Sequence, residues 1–205
     1  PVDRLGVGFV GRSSTWDLLR ELVFPNHVSL RYVDNDTECS GLDLVLVEGY
    51  MTDLVHCPRT YVIDDVSVDG LIEALIRGLG LGELNVGVDI GNSRCGVAIL
   101  TNDVPIIHAT LGFPRLVKLL RRLSRYSRIN LMVGTSPGVS ELVRDLMGFL
   151  GDVDIRVSVV DEEVANSRRG LLEDKYPYLS TDELDGLAHA YTGLSRSSVR
   201  VVGTV

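Results

Sequence analysis

Residues 86–100, Val-Gly-Val-Asp-Ile-Gly-Asn-Ser-Arg-Cys-Gly-Val-Ala-Ile-Leu, constrain the fold more than any other stretch of the chain. Apolar residues alternate with Gly87 and Asp89 at the period of a β-strand. The Gly-Asn pair after Ile90 suits the left-handed backbone of a tight turn, and an apolar run follows from Cys95. The sequence therefore predicts a β-hairpin whose first strand carries one acid.

Asp89 has two interpretations on this stretch alone. A carboxylate inside an apolar strand is costly unless it is paired or holds a cation. It can cap the turn by accepting hydrogen bonds from the amides of Gly91 and Asn92. Alternatively, it is a metal ligand or a catalytic acid.

The distribution of charge divides the chain into two parts. The net charge is −8 over 205 residues, and residues 1–84 hold 6 basic and 14 acidic side chains, so that 6 − 14 = −8. The remaining residues hold 14 of each sign. Together with the Gly-Leu-Gly-Leu-Gly stretch at 78–82, this predicts a small α/β domain at 1–82 and a second domain at 83–205.

Several classes of protein are excluded by composition. No apolar run reaches the roughly 18 residues that a membrane span needs, and no basic-then-apolar secretory start is present. The three cysteines, Cys39, Cys57 and Cys95, show no CxxC spacing. We therefore expect a reduced, cytoplasmic protein without structural zinc and without a membrane partner.

The first part alternates strands with helices. Strands are predicted at 5–10, 28–33, 42–47 and 60–63, and helices near 15–24 and 69–79, with Ser13 or Ser14 capping the first helix. This alternation predicts a parallel sheet. Val47-Glu48-Gly49-Tyr50-Met51 resembles the acidic motif of Toprim domains, but a strand end followed by a polar loop is the favoured interpretation.

A basic helix is the strongest electrostatic feature of the second part. After a strand at 104–110, a helix is predicted from about 114 to 126 with a leucine stripe on one side. No acid occurs between residues 115 and 128. An ordinary solvated face carries mixed signs, so phosphate binding is favoured. The basic residues are Arg115, Lys118, Arg121, Arg122, Arg125 and Arg128.

The remaining elements place acids at two further points. Strands are predicted at 129–134 and 155–160, separated by a helix at 138–150 that Ser136 caps, where an anion could also bind. The second of these strands ends in Asp161-Glu162. A capping box, Ser180 to Glu183, opens a last helix on which Asp182, Asp185 and His189 share a face, and the tail after Arg196 is an edge strand or frayed.

Clustered carboxylates repel one another, so convergence of these acids implies a cation between them. Ligation by oxygen alone favours Mg²⁺ or Mn²⁺. Two such ions about 3.5–4 Å apart can activate a water and stabilise the leaving oxygen in phosphodiester hydrolysis. Each acid also has a structural alternative, as a turn cap, a strand-end acid or an acid at a helix N-terminus.

Four short motifs follow one another along residues 86–194: Asp89-Ile-Gly91 with Gly96-Val97-Ala98, then Val133-Gly134-Thr135-Ser136-Pro137, then Val160-Asp161-Glu162, and finally Asp185-Gly-Leu-Ala188-His-Ala190. In this order and spacing, they resemble the RuvC/YqgF group of Holliday-junction resolvases in the ribonuclease H-like superfamily. Glu163 stands where the YqgF-like motif has an arginine, and Arg168 or Arg169 could replace that cation.

The resemblance implies a five-stranded mixed sheet with its first three strands antiparallel, flanked by helices. It also implies a divalent-metal-dependent, structure-selective nuclease that acts on branched DNA or on RNA. The implied catalytic acids are Asp89, Glu162, Asp185 and Asp182; the implied metal ligands are Asp89, Glu162, Asp185 and Asp161. Nucleic acid would contact the basic helix together with Arg168 and Arg169, and the acidic first domain would mediate protein contacts or homodimerisation.

Two other functions stay open. Asp-Ile-Gly-Asn-Ser at 89–93 also resembles the first phosphate loop of actin/sugar-kinase-like ATP-binding proteins, which need two ribonuclease H-like domains. The first part of the chain is a poor second copy, since Phe9-Val10 lies where a phosphate-loop acid is expected. The third possibility is a non-catalytic member of the superfamily that binds nucleic acid or serves as a scaffold.

Overall fold

The chain separates into two compact units, residues 1–81 and 82–205, in a computed structural model that describes residues 4–91, 93–134, 140–151, 153–195 and 199–204. The sequence places this boundary one residue later, between 82 and 83. The predicted cap and anion site at Thr135–Gly138 lies outside the described residues. Among the residues that are described, no helix has the length and apolarity needed to cross a membrane.

The N-terminal unit is a four-stranded parallel sheet. The strand order is β2-β1-β3-β4, and every neighbouring pair is parallel, as the alternation of strands and helices predicts. The strands are β1 (Leu5–Val10), β2 (Val28–Tyr32), β3 (Leu44–Glu48) and β4 (Thr60–Ile63). The helices are α1 (Ser13–Glu21) and α2 (Val68–Gly78), with short 3-10 turns at Asp36–Cys39 and Gly49–Met51.

Glu48 closes the N-terminus of α1 from a neighbouring strand. Neither Ser13 nor Ser14 caps α1; the residue at the cap position is Arg12, whose own side chain makes no cap hydrogen bond. Instead, the Glu48 carboxylate accepts the Arg12 backbone N–H at 2.9 Å and the Thr15 hydroxyl at 2.5 Å. A carboxylate at this position also complements the helix dipole, so Glu48 is a structural acid at a strand end, as favoured.

The expectation that every cysteine stays reduced is wrong. Cys39 and Cys57 form a disulfide, and both are buried among apolar side chains of the N-terminal unit. Their separation of 18 residues carries no recognisable spacing, because folding rather than local sequence brings the two segments together. Cys95 is a free, buried thiol.

The C-terminal unit contains six strands and four helices in its described residues. The strands are β5 (Glu83–Ile90), β6 (Cys95–Thr101), β7 (Val104–Leu111), β8 (Arg128–Gly134), β9 (Ile155–Val160) and β10 (Val199–Thr204). The helices are α3 (Phe113–Leu123), α4 (Ser140–Leu150), α5 (Glu162–Lys175) and α6 (Thr181–Leu194).

The strands of this unit form one mixed sheet in the order β10-β9-β8-β5-β6-β7. The pairs β5–β6 and β6–β7 are antiparallel, whereas β5–β8 and β8–β9 are parallel. The five-stranded mixed sheet that the resemblance implies is therefore present, with its first three strands antiparallel and helices flanking it. The tail adds a sixth strand, β10, antiparallel to β9 at the edge.

Helix α5 is the one long element that the sequence did not predict. Only Ala165 and Leu172 are buried along its 14 residues, so the chain shows no apolar stripe at helical spacing there. Asp161 caps the helix by accepting hydrogen bonds from the N–H groups of Glu163 and Val164. A strong cap and packing against α6 therefore define a helix that periodicity does not reveal.

Candidate functional site

Glycines bring α6 into direct contact with the sheet. A Cβ atom on Gly87 of β5 would overlap the carbonyl oxygen of Gly186, and one on Gly96 of β6 would overlap the carbonyl oxygen of Asp182. Gly186 in turn lies against Gly96, whose carbonyl oxygen is 2.8 Å from the position of an added Cβ. The absence of side chains at these three positions lets the helix backbone rest on the strands.

This close approach brings the acids of α6 to Asp89. Asp89 lies on the same face of β5 as Gly87, since the two residues are two positions apart. Asp89 also pairs in register with Gly96, against which the backbone of Asp182 rests. Asp185 follows one helical turn after Asp182. The predicted convergence of a strand acid with helix acids is thus present for Asp89, Asp182 and Asp185, which are all half-buried.

Burial and mutual repulsion make the charged forms of two of these acids unfavourable. The pKa of Asp89 is raised, first by burial and then by the negative charge of Asp182, while His189 and Arg169 act in the opposite direction. The pKa of Asp185 is also raised, first by burial, with the charges of Asp89 and Asp182 adding to it and Arg169 opposing it. The site therefore has an excess of negative charge that a cation would relieve.

Arg169 of α5 supplies a cation to the site. Its Nη1 lies 3.2 Å from Oδ1 of Asp185 and 3.4 Å from Oδ2, while its Nε donates to Oε1 of Glu173 at 3.2 Å. The Asp185 side chain is 21% exposed and that of Glu173 is 54% exposed. Arg169 therefore links the acid cluster to a carboxylate nearer to solvent.

His189 completes the buried side of the site. It is 5% exposed, and its Nδ1 lies 3.0 Å from the backbone carbonyl oxygen of Val88, the residue before Asp89. Because a carbonyl only accepts, this contact assigns the proton to Nδ1 in the neutral ring. The ring lies against Gly134, where a Cβ would overlap it. The sequence places His189 on the same helix face as Asp182 and Asp185, but it does not predict His189 as a site residue.

Asp161 and Glu162 lie at the same edge of the sheet as Asp89, but they begin helix α5 and do not join the cluster of Asp89, Asp182 and Asp185. Val88, Val133 and Val159 are in register across β5, β8 and β9, so the carboxyl ends of these strands meet at one edge. Since neighbouring strands are about 4.8 Å apart, the ends of β5 and β9 are about 10 Å apart. Asp161 is engaged as the cap of α5, and Glu162 is the first residue of that helix and half-buried.

The donor chemistry of the cluster suits a hard divalent cation, because Asp89, Asp182 and Asp185 offer only carboxylate oxygens. The positions of the side chains are not those of a finished site. Within the described residues, no group of three His, Cys, Asp or Glu side chains is arranged to hold a metal ion. The ion pair with Arg169 currently engages both oxygens of Asp185.

Thiol chemistry is excluded at this site near neutral pH. Cys95 of β6 is fully buried and follows the turn after Asp89. Burial, the first cause, raises the pKa of its thiol to about 11, and the charges of Asp89 and Asp182 act in the same direction. The thiol is therefore protonated and is a poor nucleophile.

The basic side chains of α3 lie outside this cluster. The leucine stripe, Leu116, Leu119, Leu120 and Leu123, is buried as predicted. Five of the six predicted phosphate-binding residues are exposed and Arg122 is half-buried. The helix ends at Leu123, earlier than predicted, so Arg125 lies in the turn after it and Arg128 is the first residue of β8. Arg121 donates a hydrogen bond to the Phe149 carbonyl oxygen at 2.9 Å, joining α3 to the end of α4. Arg168, also predicted to bind nucleic acid, donates to the Ser195 hydroxyl at 2.7 Å.

No protein-family model and no curated protein sequence matches the chain. Solved structures that are similar include Argonaute of Marinitoga piezophila in complex with 5′ OH guide RNA, at 10% identity and a TM-score of 0.25. The same protein with guide RNA and target DNA matches at 8% identity and a TM-score of 0.28. Each match covers 78% of this chain, and the chain spans 40% and 39% of the two Argonaute chains. TM-scores of this size do not establish a common fold.

Proposed function

We propose that the C-terminal unit is a divalent-metal-dependent, structure-selective nuclease that acts on branched DNA or on RNA. The observation that supports this most is the convergence of Asp89 on β5 with Asp182 and Asp185 on α6 in a half-buried cluster, where burial raises the pKa values of Asp89 and Asp185. Such a cluster is destabilising unless a cation offsets it, and titratable groups with perturbed pKa values are concentrated at functional sites.

Asp89, Asp185 and Asp182 would hold Mg²⁺ or Mn²⁺, with Glu162 or Asp161 as a further ligand from the end of β9, which β8 separates from β5. When bound, paired ions would supply activation of water and stabilisation of the leaving oxygen. Asp89 is fixed by its strand, and His189 braces the backbone immediately before it through the Val88 carbonyl oxygen. The protein's contribution would therefore be a strand that fixes Asp89, towards which the carboxylates of α6 would turn when a metal ion binds.

The basic helix α3 would bind the phosphate backbone. Phosphate contacts give affinity and orientation but carry no sequence information, which suits selection by the shape of the nucleic acid. Helix α3 begins just after β7, whose end is level with Asp89 because Thr110 and Asp89 both pair with Gly96. A backbone bound along α3 could thus lead towards the acid cluster.

A non-catalytic nucleic-acid-binding protein is the second candidate. The observation that favours it is the ion pair between Arg169 and Asp185, because an internal cation already offsets part of the negative charge. The actin/sugar-kinase alternative has less support, since the described N-terminal unit is an all-parallel sheet and not a second ribonuclease H-like domain.

The remaining parts of the proposal concern partners and location. The N-terminal unit would mediate protein contacts, including homodimerisation, because its excess of acidic residues disfavours nucleic acid. Sedimentation of the full chain over a range of concentrations tests dimerisation. We propose a cytoplasmic location, where nucleic acid is present. The Cys39–Cys57 disulfide argues against this location, because disulfides are rare in the cytosol.

Cleavage of labelled four-way junctions, flaps and RNA in Mg²⁺ or Mn²⁺ tests the function. We expect metal-dependent cleavage of at least one substrate by the full chain and its loss in Asp89→Asn. Asp103→Asn is the matched control, because Asp103 is an exposed acid between β6 and β7, at the opposite end of these strands. Nucleic-acid binding without cleavage in either metal would favour the non-catalytic candidate, and tight ATP binding without nucleic-acid binding would favour the kinase-like one.

A further inference from the structure

We propose that Arg169 is a built-in counter-ion that a divalent cation must displace from Asp185, and that Glu173 holds the released guanidinium. This inference rests on the proposed metal site and adds to it a competition between a side chain and the ion. It is carried by the position of one guanidinium between two carboxylates in unlike surroundings.

Arg169 and a metal ion would both bind the carboxylate oxygens of Asp185. Nη1 of Arg169 lies within 3.4 Å of both carboxylate oxygens of Asp185. Each carboxylate oxygen keeps a further lone pair, so the guanidinium and a metal ion compete for the charge and the orientation of Asp185 rather than for every lone pair. The positive charge of Arg169 also acts on Asp89, so it offsets negative charge at two of the three acids.

Arg169 has another ionic partner within reach. Glu173 lies one helical turn further along α5, and its Oε1 already accepts from Nε of Arg169 at 3.2 Å. The guanidinium can therefore leave Asp185 and remain paired. Because Glu173 is more exposed than Asp185, the cation moves outward as the metal ion enters, and no charge is left buried without a partner.

With Arg169 in place, the affinity for a metal ion is reduced by the free energy needed to break the Arg169–Asp185 pair. Removing the arginine charge should tighten metal binding. Removing the Glu173 charge should strengthen the ion pair between Arg169 and Asp185, and metal binding should become weaker. The two variants therefore shift metal affinity in opposite directions, although both change a charge on the same helix.

The test is calorimetric titration of the full chain with MnCl₂, without nucleic acid. We expect Arg169→Gln to lower the Kd about tenfold, as a nearby unit charge in a half-buried site predicts, and Glu173→Gln to raise it about twofold to threefold. Lys175→Gln is the matched control, because Lys175 is an exposed cation on the same helix that lies over the ring of Tyr176. Its Kd should equal that of the natural chain.

Arg169→Lys guards against a folding defect, because it keeps the charge and should bind Mn²⁺ with an affinity close to that of the natural chain. A Kd for Arg169→Gln equal to or weaker than that of the natural chain, with binding still lost in Asp89→Asn, overturns the inference and leaves the metal site standing. Absence of Mn²⁺ binding in every variant, Arg169→Gln included, overturns both. Mn²⁺ binding that appears only in Arg169→Gln supports the inference, because Arg169 would then block metal binding completely in the natural chain.

Discussion

Two buried or half-buried acids illustrate how surroundings decide the role of a carboxylate. Glu48 is 2% exposed, yet hydrogen bonds from Thr15 and Arg12 outweigh the effect of burial and lower its pKa. Among the described residues, Asp89 shows no such set of donors, and burial together with the charge of Asp182 raises its pKa. The neighbours of Glu48 thus stabilise its charged form, whereas the surroundings of Asp89 disfavour its charged form.

Glu48→Gln should destabilise the N-terminal unit by about 2 kcal/mol, because the amide loses the charge-assisted bonds to the α1 end and to Arg12. Urea unfolding followed by the fluorescence of Trp16, the single tryptophan of the chain, measures this unit directly. Glu21→Gln, an exposed acid at the end of α1, is the control and should change the stability by less than about 0.5 kcal/mol. Equal unfolding midpoints for both variants would contradict the capping role.

The site could be predicted from the sequence only in part. Strand alternation places Asp89, and the capping box together with helical spacing places Asp182, Asp185 and His189 on one face. Arg169 could not be assigned to Asp185, because an ion pair between two helices depends on how the helices pack. The Cys39–Cys57 bond was missed for the same reason, since no local pattern encodes it.

Among the secondary-structure elements, the packing of α6 on the sheet positions the site. Three glycines, Gly87, Gly96 and Gly186, make the approach possible, and each lies where a side chain would meet backbone atoms of the other element. The sequence alone does not show which glycines face the other element, because that depends on how α6 packs on the sheet. Helix α5 was missed because its sequence shows no apolar stripe.

Gly96→Ala should destabilise the C-terminal unit by about 3 kcal/mol or more, because the added methyl group would overlap the Asp182 carbonyl and push α6 away from β6. Gly170→Ala is the matched control, since nothing lies within 4 Å of a Cβ at this exposed position of α5. That change should stabilise the unit by about 0.5–1 kcal/mol. Thermal unfolding by far-ultraviolet circular dichroism measures both, and a stable Gly96→Ala protein would refute the close-contact account.

Helix α3 can be tested through the salt dependence of nucleic-acid binding. The double variant Arg115→Gln/Lys118→Gln removes two exposed charges of α3, and should weaken binding to similar degrees across sequences and reduce the slope of log K against log salt by about 2. Arg31→Gln, an exposed cation of the N-terminal unit, is the control. An unchanged slope for the double variant would show that α3 is an ordinary solvated face.

At the scale of the whole molecule, the two units should respond oppositely to acid. Raised pKa values of Asp89 and Asp185 mean that the folded C-terminal unit binds protons more tightly than the unfolded chain. Without metal, its stability should therefore rise as the pH falls from neutral through those raised values towards the ordinary 3.8. The lowered pKa of Glu48 has the opposite sign, so its contribution is lost as the pH falls below the ordinary 4.5.

Urea unfolding in EDTA at about pH 7 and about pH 5 separates these effects. The Trp16 signal should change little over this range, while the transition of the C-terminal unit, followed by circular dichroism, should gain about 1 kcal/mol or less after allowance for solvent screening. Asp89→Asn should remove part of that gain. The same pH dependence in Asp89→Asn and in the natural chain would contradict the assignment of an uncompensated charge to this residue.

The architecture of both units follows from patterns that act over the whole chain. Alternating strands and helices predict the parallel sheet of the first unit, and the ordered motifs of residues 86–194 imply the mixed sheet of the second, with only the sixth strand beyond it. The proposed metal site lies at the edge of this second sheet, where β5 ends beside α6.

The presence of this metal site is tested most directly by counting bound Mn²⁺ on the full chain by electron paramagnetic resonance of the free ion. The natural chain and the control Asp103→Asn should bind Mn²⁺ alike, and Asp89→Asn and Asp185→Asn should each lose that binding. Identical Mn²⁺ binding by the natural chain and by Asp89→Asn would contradict a metal centre at the junction of β5 and α6.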